Sequence, residues 1–305
     1  MGFRSSLVAS VVLVLASAGS AAAESLLFIG NSFTYGAGSA VRYYRSDTVH
    51  DLNDEGIGGL PALFESFTRQ AGLDYEVSLE TRGGTGLDFH LENKRAAIAR
   101  RWDTVVAHGY STLDADKPRD AAKLVATGKA LADVLRAENP NVVLFLMATW
   151  SRADQVYPPE GAWAGRPIAA MANDIRAAYE QAASGAGALV IPVGEAWNRA
   201  ILTGVADANP YDGIEAGKLD LWTYDHYHAS TYGYYLEALV VFGRVTGRDP
   251  RSLGRSECSA FELGLSAAQA QALQQIAFDE LASAMPLAPN PAPRSDANPQ
   301  RCGAR

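Results

Sequence analysis

Residues 26–35 read LLFIGNSFTY, and this stretch decides how the rest of the chain is interpreted. Four consecutive apolar residues are typical of a short buried β-strand. Gly30 and Asn31 end that strand, and Ser32 follows directly. Ligands of open α/β sheets bind beyond the carboxyl ends of the strands, so a serine at this position is a candidate nucleophile. It requires a base within reach, which the rest of the chain has to supply.

Further apolar runs alternate with segments of helical spacing. The predicted strands cover 26–29, 75–79, 104–107, 141–147 and 188–193, and the predicted helices cover 60–71, 87–101, 121–138, 167–183, 195–202, 230–246 and 266–284. This alternation predicts an α/β domain with three layers, α/β/α, around a five-stranded parallel sheet. Right-handed crossovers place all strand-to-helix loops at one edge of the sheet. The loops expected to meet there carry Ser32, Gly83–Gly86, His108–Ser111, Trp150 and Asp225–His228.

The ends of the chain differ from the predicted domain of residues 24–285. Arg4, an apolar run and a small-residue cleavage site predict a secretory signal peptide over 1–23, and hence a secreted or periplasmic protein. No later run is long enough to indicate stable membrane insertion. Residues 286–305 form a Pro-rich tail. In an exported protein its Cys302 is expected to form a disulfide with Cys258, the alternative being two free thiols.

Charge and motifs exclude some classes of function. The net charge of −8 is spread along 305 residues, so no basic footprint indicates nucleic-acid binding. There is no HExxH, CxxC or nucleotide-binding glycine motif, and we predict no metal site and no cofactor. His50 and His90 are interpreted as ordinary loop and helix-surface residues.

A candidate base lies in the segment Tyr224–His228, before a predicted helix. Asp225 precedes His228 by three residues, a spacing at which the carboxylate can accept a hydrogen bond from the imidazole. That bond would fix the tautomer and leave the second ring nitrogen for Ser32. His226 is the rival base, but it is adjacent to Asp225 and should point elsewhere. The backbone N–H of Ser32 and one from the glycine cluster are candidate donors to an oxyanion.

These segments resemble the conserved blocks of the SGNH, or GDSL-like, hydrolases. Residues 30–34, GNSFT, resemble the first block, with Asn31 where that family usually has Asp. Residues 83–86 resemble the second block, and 225–233 resemble the fifth. The resemblance spans residues 26–247 in matching order. It implies a flavodoxin-like fold, with Ser32 as the nucleophile, His228 as the base and Asp225 as its orienting acid.

The resemblance also assigns the remaining site residues. It implies that the N–H of Gly84 lines the oxyanion hole together with that of Ser32. The third block departs from the family, because residues 108–112 read HGYST and contain no Asn. Ser111 or His108 could donate in its place. Asn31, His108 and Trp150 are the expected substrate contacts.

The function predicted from the sequence is a secreted serine esterase acting on a small-molecule or glycan ester. Aromatic residues in the long loops favour an acetylated sugar because aromatic rings stack on sugars, and lipid or aryl esters would also use them. These residues are Tyr35, Tyr43, Tyr44, Trp150, Tyr157, Trp163 and Trp222. Two alternatives remain open. One is a carbohydrate-binding protein that kept the fold and lost turnover, and the other is a metal-dependent hydrolase that uses His226 and His228.

Overall fold

A six-stranded parallel sheet forms the centre of the molecule. The computed structural model describes residues 22–289. The strands are β1 (Glu24–Gly30), β2 (His50–Asp51), β3 (Tyr75–Thr81), β4 (Thr104–Ala107), β5 (Val143–Ala148) and β6 (Leu189–Pro192). Their spatial order is β2-β3-β1-β4-β5-β6, with every pairing parallel. Without β2 this is the 2-1-3-4-5 order of flavodoxin-like folds, so the predicted fold class is confirmed.

The predicted number of strands was one too low. The additional strand, β2, lies at the edge of the sheet and pairs with β3 at Ser78 and Leu79. It has two residues and falls within the irregular segment 36–59. Two residues carry no alternation of apolar and polar side chains, so periodicity could not detect it.

Ten α-helices connect and cover the strands in the described part of the chain. They are α1 (Gly59–Gln70), α2 (Leu87–Asn93), α3 (Arg95–Ile98), α4 (Ala122–Glu138), α5 (Ala153–Val156), α6 (Ala169–Ala186), α7 (Val193–Leu202), α8 (Thr231–Thr246), α9 (Cys258–Glu262) and α10 (Ala267–Ala282). The single helix predicted over 87–101 is divided at Lys94, whose backbone is not helical. Its ammonium group donates to Asn53 Oδ1 at 2.6 Å, a tertiary contact that local spacing does not reveal.

Strand β1 is buried on both faces because helices cover both sides of the sheet. Leu26 and Phe28 face a core shared with α1, α7, α8 and α10. Leu27 and Ile29 face a second core shared with α2, α3, α4 and α6. Neighbours β3 and β4 complete its hydrogen bonds. The end of β1, just before Ser32, is therefore fixed by a core on each face and by a neighbouring strand on each edge.

Several predictions about the chain termini fall outside the described residues. These are all but the last two residues of the signal peptide predicted over residues 1–23, most of the Pro-rich tail, and Cys302 with its pairing to Cys258. Each of them stays a prediction. Within residues 22–289 no helix combines the length and the apolarity needed to cross a bilayer.

One buried carboxyl group is poorly accommodated in the core. Glu237 lies on α8 and is fully buried. Neither of its carboxyl oxygens has a hydrogen-bond partner among residues 22–289. Burial raises the pKa of Glu237 well above its usual range, because the charged form is poorly solvated there. The folded protein therefore holds this proton to higher pH than the unfolded chain does.

We expect Glu237→Met to stabilise the protein, and to do so more at pH 8 than at pH 4. Folding stability falls as pH rises above the unfolded pKa of about 4.3, because the folded state binds the extra proton. Removal of an unpaired buried polar group should raise the free energy of unfolding by about 1–3 kcal/mol. Urea unfolding at both pH values measures this, with the exposed Glu92→Met as the control. An unchanged pH dependence in Glu237→Met would contradict the assignment.

Candidate active site

The loop after β1 is tied to two neighbouring loops by the side chain of Asn31. Its amide nitrogen donates to the backbone oxygens of Thr85, at 2.9 Å, and Gly109, at 3.2 Å. Its side-chain oxygen accepts the N–H of Phe33 at 3.1 Å. Both amide hydrogens and the oxygen of Asn31 therefore hold the backbone around Ser32. No free donor is left for the substrate contact expected of this residue.

His108 lies beneath the same loop and is fixed as a neutral imidazole. Its Nδ1 faces the backbone oxygen of Gly109 at 3.1 Å, which can only accept, so Nδ1 carries the proton. Nε2 then accepts the hydroxyl of Thr34 at 2.8 Å. Complete burial lowers the pKa of His108 to about 4. A Cβ at Gly30 would overlap both side chains, so only glycine fits at the end of β1.

Asp225 and His228 form the hydrogen-bonded couple expected from their spacing. His228 Nδ1 and Asp225 Oδ2 are 2.6 Å apart. Asp225 Oδ1 accepts the backbone N–H groups of Tyr227 and His228 at 3.0 and 2.9 Å. Burial raises the pKa of Asp225, but the bonds from His228 and the backbone outweigh it, and the net pKa is lowered. The carboxylate is therefore ionised and accepts a hydrogen bond from the Nδ1–H group of His228.

The second ring nitrogen of His228 is open. Nε2 is buried and has no hydrogen-bond partner among the described residues, so the Ser32 hydroxyl is not hydrogen-bonded to it in this structure. With the proton on Nδ1, Nε2 is the basic nitrogen of the ring. His226, the rival base, has a left-handed backbone and packs its ring against Tyr211 at 4.2 Å between centroids. His228 is thus the imidazole that is hydrogen-bonded to Asp225, whereas the ring of His226 packs against Tyr211.

Helix α8, which begins three residues after His228, is bonded to the segment that carries Ser32. Tyr234 donates its hydroxyl to the backbone oxygens of Ser32 and Ala37, at 3.2 and 3.1 Å. The ring of Phe33, next to Ser32, meets the ring of His228 edge-on with centroids 5.9 Å apart. Ser32 itself is 5% exposed. The nucleophile and base candidates therefore belong to one packed cluster at the carboxyl edge of the sheet.

The candidate oxyanion donors lie on the two adjoining loops. Gly84 is exposed, and its φ of +73° is a left-handed backbone conformation that favours glycine. Ser111 is buried, and its hydroxyl oxygen accepts from Arg152 Nη1 at 3.1 Å. Through Asn31 both loops are bonded to the segment that carries Ser32.

The prediction that Trp150 contacts substrate was wrong, because its ring is wholly buried. It lies between Phe33, at 4.0 Å, and Trp197, at 4.8 Å, in a nearly parallel stack. Its indole N–H donates to the backbone oxygen of Tyr227. Trp163 and Trp222 are also buried, and so are unavailable to stack on a sugar. The Trp150 ring therefore packs in the core against Phe33, the residue that follows Ser32.

The interpretation of His90 as a helix-surface residue was also wrong. His90 is 1% exposed, and its Nδ1 is hydrogen-bonded to the fully buried carboxylate of Glu80. Glu80 lies near the end of β3, before the glycine cluster, and His90 lies on α2, after the cluster. The pair therefore closes the loop that carries Gly84. No local pattern joins the two residues, which is why sequence reasoning missed them.

Arg152 and Tyr227 were missed as well. The guanidinium carbon of Arg152 lies 3.5 Å from the centroid of the Tyr227 ring, and that ring stacks on His228 at 4.0 Å. The only sequence signal was the position of Arg152 in the loop after β5, which faces this edge of the sheet. Within residues 22–289 no three His, Cys, Asp or Glu side chains form a group that could hold a metal ion.

Comparison with known proteins gives matches in structure only. No family model and no curated protein sequence matches the chain. A candidate SGNH hydrolase from Slackia heliotrinireducens is 23% identical, with a TM-score of 0.51, and the match covers 73% of this chain and all of that one. A DUF4886 family protein from Bacteroides uniformis is 19% identical, with a TM-score of 0.57 over 86% of this chain and 95% of that one.

A third structure agrees with these two. A candidate GDSL-like lipase from Parabacteroides merdae is 16% identical, with a TM-score of 0.53, and the match covers 73% of this chain and 95% of that one. At such identities the likeness concerns the fold. The resemblance seen in the sequence is thus confirmed in three dimensions, and the chain has the fold of the SGNH, or GDSL-like, hydrolases.

Proposed function

We propose that this chain is a serine esterase that hydrolyses carboxylic esters, with Ser32 as nucleophile, His228 as base and Asp225 as its orienting acid. One observation carries the proposal. The Nε2 atom of His228 is buried and unpartnered within residues 22–289, while Nδ1 is held by Asp225. A base with this arrangement, whose ring meets that of Phe33 next to Ser32, is suited to take the proton of that hydroxyl.

The reaction follows from these positions. Ser32 Oγ attacks the ester carbonyl carbon, and its proton passes to Nε2 of His228. Asp225 stabilises the resulting imidazolium. When the tetrahedral intermediate collapses, the C–O bond breaks and Nε2 returns the proton to the leaving alcohol. A water molecule then attacks the acyl-enzyme by the same route, with His228 again taking and returning a proton, which releases the acid and restores Ser32.

The negative oxygen of the intermediate needs donors. The backbone N–H groups of Ser32 and Gly84 are the proposed ones, since glycine permits close approach of the backbone to an acyl group. Because Asn31 and the Glu80–His90 pair fix the two loops, these donors need little rearrangement during the reaction. Such preorganised donors are commonly the largest contribution to catalysis of this type.

The proposed substrate is an acetyl ester of a glycan met outside the cytoplasm. The predicted signal peptide supports the location, and exposed tyrosines support the sugar. Tyr43, Tyr211 and Tyr224 keep 64%, 47% and 84% of their surface exposed. Tyr224 directly precedes Asp225, and Tyr211 lies against His226. Release of acetate from partially acetylated oligosaccharides, compared with release of longer acids from aryl esters, tests this preference.

Ser32→Ala should abolish hydrolysis of an aryl acetate by the mature protein. Loss of the attacking oxygen is expected to lower kcat by roughly 10⁴-fold or more, with the fold unchanged. Initial rates give kcat, and circular dichroism checks the fold. Ser266→Ala is the matched control, because this exposed serine only caps α10.

Two outcomes would contradict the esterase proposal. Full activity in Ser32→Ala would show that Ser32 is not the nucleophile. Loss of activity on treatment with a chelator, with recovery on addition of a divalent metal, would favour the metal-dependent alternative.

Asp225→Asn should lower kcat by about 10³–10⁴-fold and leave KM within a few-fold of the wild type. An amide can hold His228 in the wrong tautomer and cannot stabilise the imidazolium. Since the pKa of Asp225 is lowered, the wild-type carboxylate stays ionised throughout the neutral and mildly acidic range. Rates measured from pH 5 to 9 should therefore show the loss at every pH. Asp212→Asn, on an exposed loop, is the control, and equal activity in both variants would contradict the role of Asp225.

A further inference from the structure

The turn after β4 leaves one position of the proposed oxyanion hole without its usual Asn. His108 cannot fill it. Its Nδ1 donates to Gly109 and its Nε2 accepts from Thr34, so no ring N–H is available. Its lowered pKa keeps a second proton away from the ring. The other two hydroxyls of the turn have partners, because Thr112 donates to the backbone oxygen of Asp114 and Tyr110 is hydrogen-bonded to Asp88. Ser111 is therefore the remaining side-chain donor on this turn.

The hydroxyl of Ser111 is set up to donate. Its oxygen accepts one hydrogen bond, from Arg152 Nη1 at 3.1 Å. That bond is its only one to a protein group among residues 22–289, so the hydroxyl hydrogen is not committed to an acceptor there. A hydroxyl that accepts from a cation becomes a stronger donor, because hydrogen bonds in a chain polarise one another.

Arg152 is held on two sides. Its Nε and Nη2 donate to Oδ1 and Oδ2 of Asp154 at 3.0 and 2.6 Å, a two-point contact that fixes the plane of the guanidinium. One face of that plane covers the ring of Tyr227. Its side chain is 14% exposed. Arg152 is therefore a rigid group whose third donor points at Ser111.

The same contacts bring Ser111 to the site. Tyr227, beneath Arg152, stacks on His228 with a centroid distance of 4.0 Å. On the other side, Asn31 donates to the backbone oxygen of Gly109, two residues before Ser111. Ser32 is thus flanked by Asn31 and by Phe33, whose ring lies 5.5 Å from that of Tyr227. The Ser111 and Ser32 segments share these neighbours.

We propose that Ser111 supplies the third hydrogen bond to the oxyanion and that Arg152 is the positioning residue that orients and polarises its hydroxyl. The proposal rests on the esterase function proposed above. As Ser32 attacks, the carbonyl oxygen gains negative charge and accepts the O–H of Ser111, while Arg152 keeps donating to the same oxygen. Asp154 balances the charge of Arg152, so the guanidinium acts through Ser111 and is not itself a free anion site.

A double-mutant cycle tests this with Ser111→Ala, Arg152→Met and the combined variant, using kcat and KM for an aryl acetate. We expect Ser111→Ala to lower kcat about a hundredfold, the typical cost of one oxyanion donor. Arg152→Met should lower kcat roughly tenfold, as for the loss of one hydrogen bond to a charged group. The combined variant should be no slower than Ser111→Ala, and KM should change little throughout.

A transition-state analogue separates this role from a structural one. A trifluoromethyl ketone forms a negatively charged hemiketal on a nucleophilic serine, so its inhibition constant should rise by the same factor as kcat falls. Arg176→Met is the matched control, since Arg176 pairs with Glu180 and Glu195 on α6 and α7. If Arg152→Met does not fold, Arg152→Lys takes its place in the cycle. Lysine keeps the charge without the planar guanidinium. Arg152→Lys should therefore lower kcat in the wild-type background and leave it unchanged in the Ser111→Ala background.

Three results would overturn the proposal. The first is an unchanged kcat in Ser111→Ala, and the second is a change in KM without a change in kcat. The third is a combined variant whose kcat is lowered by the full factors of both single substitutions. Failure of the esterase function is a distinct result, because the wild type would then show no turnover that depends on Ser32.

Discussion

The arrangement of the site depends on the hydrogen bonds of one buried amide, that of Asn31. Its nitrogen joins the loops after β3 and β4, and its oxygen caps the N–H of Phe33 beside Ser32. An Asp at this position, as the SGNH family usually has, could not donate to the oxygens of Thr85 and Gly109. The Asn found here therefore suits these two carbonyl acceptors, because an ionised carboxylate would repel both.

Much of the fold could be predicted because its signals are local. The buried runs of β1, β4 and β5 are short and apolar, and Pro140 follows directly after the end of α4 and its cap residue Asn139. Two of the differences from the predicted elements have a common cause. Strand β2 exists because β3 offers an open edge, and the helix of residues 87–98 divides where Lys94 reaches Asn53. Both depend on contacts between segments far apart in sequence, which a window of neighbouring residues cannot contain.

The same distinction separates the parts of the site. Asp225 and His228 are three residues apart, so their hydrogen bond could be predicted from spacing. Glu80 with His90, and Arg152 with Ser111, meet only after the sheet has formed. The prediction for Trp150 was wrong for another reason. A large ring on a loop near a site can serve the ligand or the core, and composition does not tell which.

The aromatic stack explains how long loops can hold a precise site. Phe33 follows the proposed nucleophile, Trp150 belongs to the loop after β5, and Trp197 belongs to α7. Parallel rings at 4.0 and 4.8 Å bind these three segments through large buried areas. Catalysis by preorganised donors requires that such segments do not move when charge develops on the substrate. The loops thus use their tryptophans for rigidity, which leaves the proposed recognition of an ester to polar groups and exposed tyrosines outside the stack.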